Sequence, residues 1–312
     1  MSLLETASII GLLASTVRLF TPLIFASMGE LLCERSGILN LGIEGTMLMG
    51  AVAAFLGAYT TGSLYLGLLI ALLTGALLGV IMGFMTITLG ASQHVSGLGI
   101  FFFGLGFSLF SYRVIVGSPK TLASIQPFSV VPIPGLSKIP VLGPILFSHH
   151  WLVYAGLLLA PAVHFFLFHT AAGLRLRTVG ENPHAADAAG VNVYWTRYLA
   201  LIAGGCLMAL GGAYLSIAAN SVFLDGMTDG RGWVSIALVV FGNWRPGKIM
   251  WGALLFGFID ALQLRLQAVG FQIPYQIFLL LPYLLTILVL IGVARKATYP
   301  AALLVPYKRG ES

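Results

Sequence analysis

Runs of roughly twenty predominantly apolar residues, the length of helix that crosses about 30 Å of hydrocarbon, recur along most of this 312-residue chain. Inside lipid such a run must bond its own N–H and C=O groups, which a helix does within itself. Candidate spans fall at about 7–31, 41–60, 63–89, 95–113, 151–169, 196–218, 232–243, 249–267 and 275–294. The expected fold is therefore all-α, a polytopic transmembrane helical bundle of about nine spans, with residues 1–312 as one domain. The 232–243 segment is short for a crossing and is expected either to be re-entrant or to run deeper into the Gly-Asn-Trp loop that follows.

Composition agrees, because only 8% of residues are charged and the mean hydropathy is +0.97, whereas soluble domains carry about a quarter charged residues. The net charge of +6 does not point to nucleic acid, since the basic residues lie in short loops between apolar spans. With the segment Gly173–Arg197 placed in the cytoplasm, ten Lys and Arg fall inside (Arg35 and Arg177 among them) and five outside, with Arg18 within the first span. The positive-inside bias then puts the N-terminus outside and the C-terminus in the cytoplasm. The first apolar run lacks a basic leader and a small-residue cleavage site, so it is expected to be a retained span. Cys33 and Cys206 have no metal or redox spacing and read as packing residues.

Gly75, Gly79 and Gly83 repeat every four residues, the spacing that lets two helices approach closely in lipid. The segment 118–150 is expected to be an external, irregular cap, since it holds six prolines. On the other side, the polar stretch 173–195 spells a short helix. Asn182 suits its N-cap, Pro183 the first helical position, Ala185 and Ala186 its body, and Gly190 the left-handed residue that ends it. A rigid knob on a cytoplasmic loop is what a transporter needs if motion in a separate ATPase is to be delivered to membrane helices, whereas an ordinary loop is more often floppy.

The same stretch, through Gly173, Arg177, Gly180, Asn182, Ala185, Ala186 and Gly190, resembles the coupling loop of ABC permeases in the superfamily that moves branched-chain amino acids, ribose-like sugars and nucleosides. Glu34-Arg-Ser-Gly-Ile-Leu-Asn-Leu-Gly-Ile-Glu-Gly-Thr-Met-Leu-Met-Gly50 resembles the signature of the nucleoside-type permeases that work with basic-membrane-protein-like binding lipoproteins, and Ile133–Phe147 agrees with it. The likeness covers essentially the whole chain. It implies a bacterial inner-membrane permease subunit that carries nucleosides by ATP-driven alternating access, with Arg177, Gly180, Glu181, Asn182, Pro183, Ala185, Ala186 and Gly190 coupling it to the ATPase. The implied partners are that ATPase, which holds ATP and Mg, a second and related permease chain, and an extracytoplasmic binding protein. No cofactor is expected on this chain. Simple sugars such as ribose are the alternative cargo.

Glu34 to Gly45, with two acids, a base and three glycines, is expected to break a helix at the membrane. Such breaks expose backbone groups and are tolerated only where protein or a watery cavity surrounds them. Asn40 and Glu44 are thus candidate pathway residues, with Glu44 bonding a neighbouring helix as the plainer reading. Asp260 is the one clear acid in mid-span, and Phe102 and Phe103, with Phe101, offer rings for a nucleobase. A proton-driven carrier would favour more mid-membrane titratable groups, and the capped knob would then be unexplained. Gly242-Asn-Trp-Arg-Pro-Gly-Lys248 mimics a phosphate loop, but Ile249 replaces the Ser or Thr that would hold Mg²⁺. His149-His150 alone does not enclose a metal. No nucleophile and base stand at workable spacing, so the chain is expected not to be an enzyme.

Overall fold

A computed structural model describes residues 6–117, 122–268 and 298–309, with the isolated helical positions 280, 284 and 287. In chain order its helices are α1 (Thr6–Arg35), α2 (Ile43–Thr61), α3 (Leu64–Gly83), α4 (Gln93–Val116), α5 (Leu142–Leu146), α6 (Trp151–His169), α7 (Ala171–Glu181), α8 (Pro183–Ala188), α9 (Val193–Ala213), α10 (Arg231–Phe241) and α11 (Pro246–Ala268). π-turns at Phe84–Thr88 and Tyr214–Ala219 extend α3 and α9. Among the described residues the bundle is all-α apart from a two-residue pairing of β1 (Val131–Pro132) with β2 (Ser148–His149) and an isolated bridge between Ser124 and Val222.

Among the described residues seven helices are long and apolar enough to cross a membrane, namely α1, α2, α3, α4, α6, α9 and α11. The expected span 232–243 appears as α10, whose 11 residues reach only about 16 Å at 1.5 Å each. As a helix it is therefore half a crossing, too short for the full span that its place among the nine candidates would need. The candidate at 275–294 lies outside the described residues. The polar stretch after Gly173, expected to hold one short helix, holds two, since α7 precedes α8.

Glycine explains why α9 can pack at the centre against α1, α2 and α3. A Cβ on Gly75 would strike the Gly205 carbonyl, and one on Gly79 the Leu201 carbonyl, so α3 and α9 touch backbone to backbone. Gly29 of α1 meets the Gly204 carbonyl in the same way, and Gly212 meets Met47 of α2. Lipid gives helices no hydrophobic reason to associate, so the dispersion gained at these close approaches carries much of the cohesion. The four-residue glycine spacing was a direct signal of this seam.

The contacts also fix directions. Cys33 of α1 lies against Ala200 of α9, while the Tyr214 hydroxyl donates to the Arg18 carbonyl at 2.9 Å, so the two helices are antiparallel. Arg35, at the end of α1, meets Trp244 in the α10–α11 turn. The chain between α9 and α11 therefore crosses the whole bundle, first as the non-helical stretch 220–230 and then as α10. We call the end with Arg35, Arg177, Arg197 and Arg245 the basic end.

At the opposite end, the proline-rich segment is irregular, as expected, and is tied to α6. The Tyr154 hydroxyl donates to the Val131 carbonyl and accepts from the His149 N–H. His149 Nε2 stands 2.8 Å from the Ile145 carbonyl, so that nitrogen carries the proton of the neutral ring. Burial lowers the His149 pKa, and burial, with repulsion from His149 and Arg18, pulls His150 down to about 4.

Two outcomes follow. Gly79→Leu is expected to lower the thermal midpoint of the purified protein by roughly 5 °C or more through overpacking, whereas Gly99→Ala, which meets no atom within 4 Å, leaves it within about 2 °C. Both histidines bind protons less readily folded than unfolded, so their contribution to stability is complete above pH 6.5 and is lost as pH falls towards about 4. Hydrogen exchange in 142–150 should accelerate between pH 7 and pH 5, beyond its intrinsic pH dependence, and His150→Gln should flatten the change.

Candidate functional site

Two stretches of non-helical backbone interrupt the bundle, 37–42 and 220–230, and the site is built where Glu44, just after the first, meets the end of the second. After α1 ends, residues 37–42 turn back along it, in the stretch whose sequence announced a broken helix. Each polar backbone group needs a partner there, and side chains supply them. Gln93 Oε1 accepts from the Leu39 N–H at 2.8 Å, Glu30 Oε1 from the Asn40 N–H at 2.9 Å, and Asn40 Oδ1 from the Gly42 N–H at 3.0 Å. Arg197, 2% exposed, donates through Nε to the Ser36 carbonyl at 3.1 Å.

The second stretch, 220–230, leads into α10. The N-terminus of a helix presents unbonded N–H groups and a partial positive charge, and here Glu44 answers both. Its Oε1 accepts from the Thr228 hydroxyl at 2.6 Å and the Gly230 N–H at 2.9 Å, and its Oε2 from the Gly232 N–H at 2.6 Å. A Cβ on Gly232 would strike the Glu44 backbone, so glycine is needed for the approach. Beside it, Arg231 donates to the Thr228 carbonyl at 3.2 Å and stands 3.8 Å from Asp260 Oδ2. Phe101 lies edge-on to Trp233 with centroids 5.4 Å apart and packs on Phe102.

At the basic end α10 is tied to α1. Asn243 and Trp244 both take left-handed backbone, φ 51° and 54°, a conformation that costs L-residues roughly 1–2 kcal/mol. The Trp244 indole N–H donates to buried Glu34, and its carbonyl accepts two N–H groups of Arg35. These bonds hold the turn. The phosphate-loop lookalike is thus a structural joint.

The expected helix cap of α8 is present. Asn182 Oδ1 accepts from the Ala185 N–H at 3.0 Å, Pro183 occupies the first position, and Gly190 ends the helix at φ 83°, with the Val191 N–H donating to the Ala186 carbonyl. The coupling candidates divide by exposure. Glu181, Asn182, Ala185 and Gly190 face outward, while Gly180, Pro183 and Ala186 are buried. A Cβ on Gly180 would strike the Arg35 carbonyl. Arg177 donates to the Leu167 carbonyl at 2.9 Å and stacks 4.8 Å from the Phe168 ring centroid.

Of the pathway candidates, Glu44 and Asp260 come together around the start of α10, Asn40 is turned into its own loop, and Phe102 and Phe103 lie on the exposed face of α4. Sequence reasoning missed Glu30, Gln93, Thr228, Arg231 and Trp233. Polar residues within or beside apolar spans were the available signal, since such groups persist only where partners exist.

The family model described as the branched-chain amino acid transport system / permease component matches residues 12–290. The guanosine ABC transporter permease protein NupQ of Bacillus subtilis is 38% identical over all of both chains. The nucleoside ABC transporter permease protein NupC of Lactococcus lactis is 34% identical over 97% of each. The putative glucose ABC transporter permease protein TsgC13 of Haloferax volcanii is 40% identical over 83% of this chain and 79% of its own. Each of these organisms also has a second, more distant permease that matches, at 23–27% identity. No solved structure matches. An all-α bundle with seven long apolar helices, a capped knob at its basic end and a family match over most of its length make this chain a member of the branched-chain amino acid transport permease family of ABC importers.

Proposed function

We propose that the chain is the nucleoside-carrying permease of an ABC importer in a bacterial inner membrane, with about nine crossings, the N-terminus outside and the basic end in the cytoplasm. The carrying observation is the capped helix α8, which stands at the basic end while its inner face packs on α7 and the start of α9. A separate ATPase holding ATP and Mg²⁺ receives the outward residues Glu181, Asn182, Ala185 and Gly190. Its movement passes through the buried set Gly180, Pro183 and Ala186 to Arg35, and from there through Trp244 to α10.

The pathway runs beside the N-terminus of α10. Trp233, Phe101 and Phe102 offer apolar ring surface for a base, and the dipole end held by Glu44 and the Arg231–Asp260 pair offers polar groups for a sugar hydroxyl. A second, related permease covers the other side, a reading supported by the two matching permeases in each of the three organisms, and a binding protein delivers the cargo to the proline-rich cap. The 40% identity to a putative glucose permease keeps simple sugars as the second reading.

Uptake of labelled guanosine, uridine and ribose into cells with and without the gene separates the two. Loss of ATP-dependent nucleoside uptake alone is expected. Loss of sugar uptake alone moves the chain to the sugar branch, and uptake that survives ATP depletion contradicts the importer reading. Gly180→Leu should lower nucleoside uptake by roughly tenfold or more at normal membrane insertion, because the displaced backbone detaches the knob from α1.

A further inference from the structure

The segment 298–309 has no regular helix, yet it runs across the basic end bonded at every stage. At its start the Thr298 N–H and hydroxyl lie 2.8 and 3.1 Å from Asn243 Oδ1, in the α10–α11 turn. Midway, the buried Ala302 donates its N–H to the Gly180 carbonyl at 2.9 Å, and the Leu304 N–H donates to the Gly37 carbonyl at 3.3 Å. The fit is close enough that a Cβ on Gly37 would stand 3.0 Å from the Ala302 carbonyl oxygen. Near its end Tyr307, 7% exposed, packs its ring between His184 and Tyr194, with centroids 5.1 and 5.6 Å away. Arg309 then pairs with Asp187 of α8 at 3.0 Å.

Physical need explains the arrangement. A helix of six residues is far below the length at which a helix holds itself, so α8 is rigid only through what packs on it. Its apolar support is the cluster Val179, Ala186, Val193 and Tyr307. Tyr307 is the largest member and the one contributed from outside 173–195. The same segment also reaches the α1–α2 turn at Gly37 and the α10–α11 turn at Asn243.

We propose that residues 298–309 are a tie that fixes the coupling helix α8 to these two turns, with Tyr307 as its main positioning residue, so that all three move as one body. The proposal rests on the reading of α8 as the ATPase-docking helix, and its test keeps the two apart. The complete importer is reconstituted in vesicles, and nucleoside uptake and ATP hydrolysis are measured together. Tyr307→Ala should raise the ATP hydrolysed per nucleoside carried by roughly tenfold, and Tyr307→Phe, which keeps the ring, should restore the ratio. An unchanged ratio in Tyr307→Ala overturns the proposal.

A second arm, independent of the insertion of Tyr307→Ala, uses Asp187→Cys with Arg309→Cys in a Cys206→Ala chain, joined by a short reducible thiol cross-linker. Transport that persists when the pair is joined supports the tie. Transport that stops on joining and returns on reduction shows that α8 and the segment move apart, and overturns it. In parallel, Ala188→Cys on the outer face of α8 should cross-link to the ATPase. Its failure removes the docking reading and the tie with it, whereas cross-linking with an unchanged ratio in Tyr307→Ala removes the tie alone.

Discussion

The carboxylate of Glu44 accepts three hydrogen bonds from the segment that begins α10, and the unusual parts of the bundle depend on it. A bilayer offers no water to non-helical backbone, so each break in a helix must be answered by protein groups. Here two breaks, 37–42 and 220–230, answer one another. The first delivers Glu44, and the second delivers the N–H groups that a half-length helix leaves free. The charge and the helix end need each other, because a lone carboxylate or a lone helix N-terminus at that depth would be costly.

From this junction the architecture reads as a load path. α10 runs from Glu44 at its start to Trp244 at its end, where Glu34 and Arg35 hold the turn. The same end of α1 abuts Gly180, and Gly180 precedes the cap of α8. Backbone contact at Gly180, Gly37 and Ala302 means that no long side chain intervenes to absorb a displacement. α8 presents His184, Ala185 and Ala188 outward, and its buried residues Pro183 and Ala186 are fixed by packing. A permease that must respond to a partner's movement needs a small outer contact and a stiff interior connection of this kind.

Much of this was legible in the sequence, and the limits have physical causes. Hydrophobic runs of membrane length located the long helices because bilayer thickness sets their size. The glycine spacing in α3 announced its seam with α9, and Asn182, Pro183 and Gly190 announced α8 because capping is local. The break at Glu34–Gly45 was visible in its glycines and charges. Its partner at 220–230 was not recognised, since nothing local says that Thr228, Gly230 and Gly232 face a carboxylate far away in sequence. Asp260 was visible as a mid-span acid, but its pairing with Arg231 was not, since no local pattern links the two residues. Trp244 appeared inside a phosphate-loop lookalike and is a structural joint. Glu30, Gln93 and Arg197 act through contacts between segments distant in sequence, which periodicity does not report.

The most direct test replaces Glu44 by Gln, which keeps the shape and removes the charge, and measures thermal unfolding of the purified protein beside nucleoside uptake in cells. Charge-assisted hydrogen bonds are worth about 1.5–3 kcal/mol each, and an amide nitrogen facing backbone donors cannot accept from them. The midpoint should fall by roughly 5 °C or more, and uptake should be lost at normal insertion. A Glu44→Gln protein with the parent's midpoint and uptake would contradict the claim that this carboxylate holds the two breaks together.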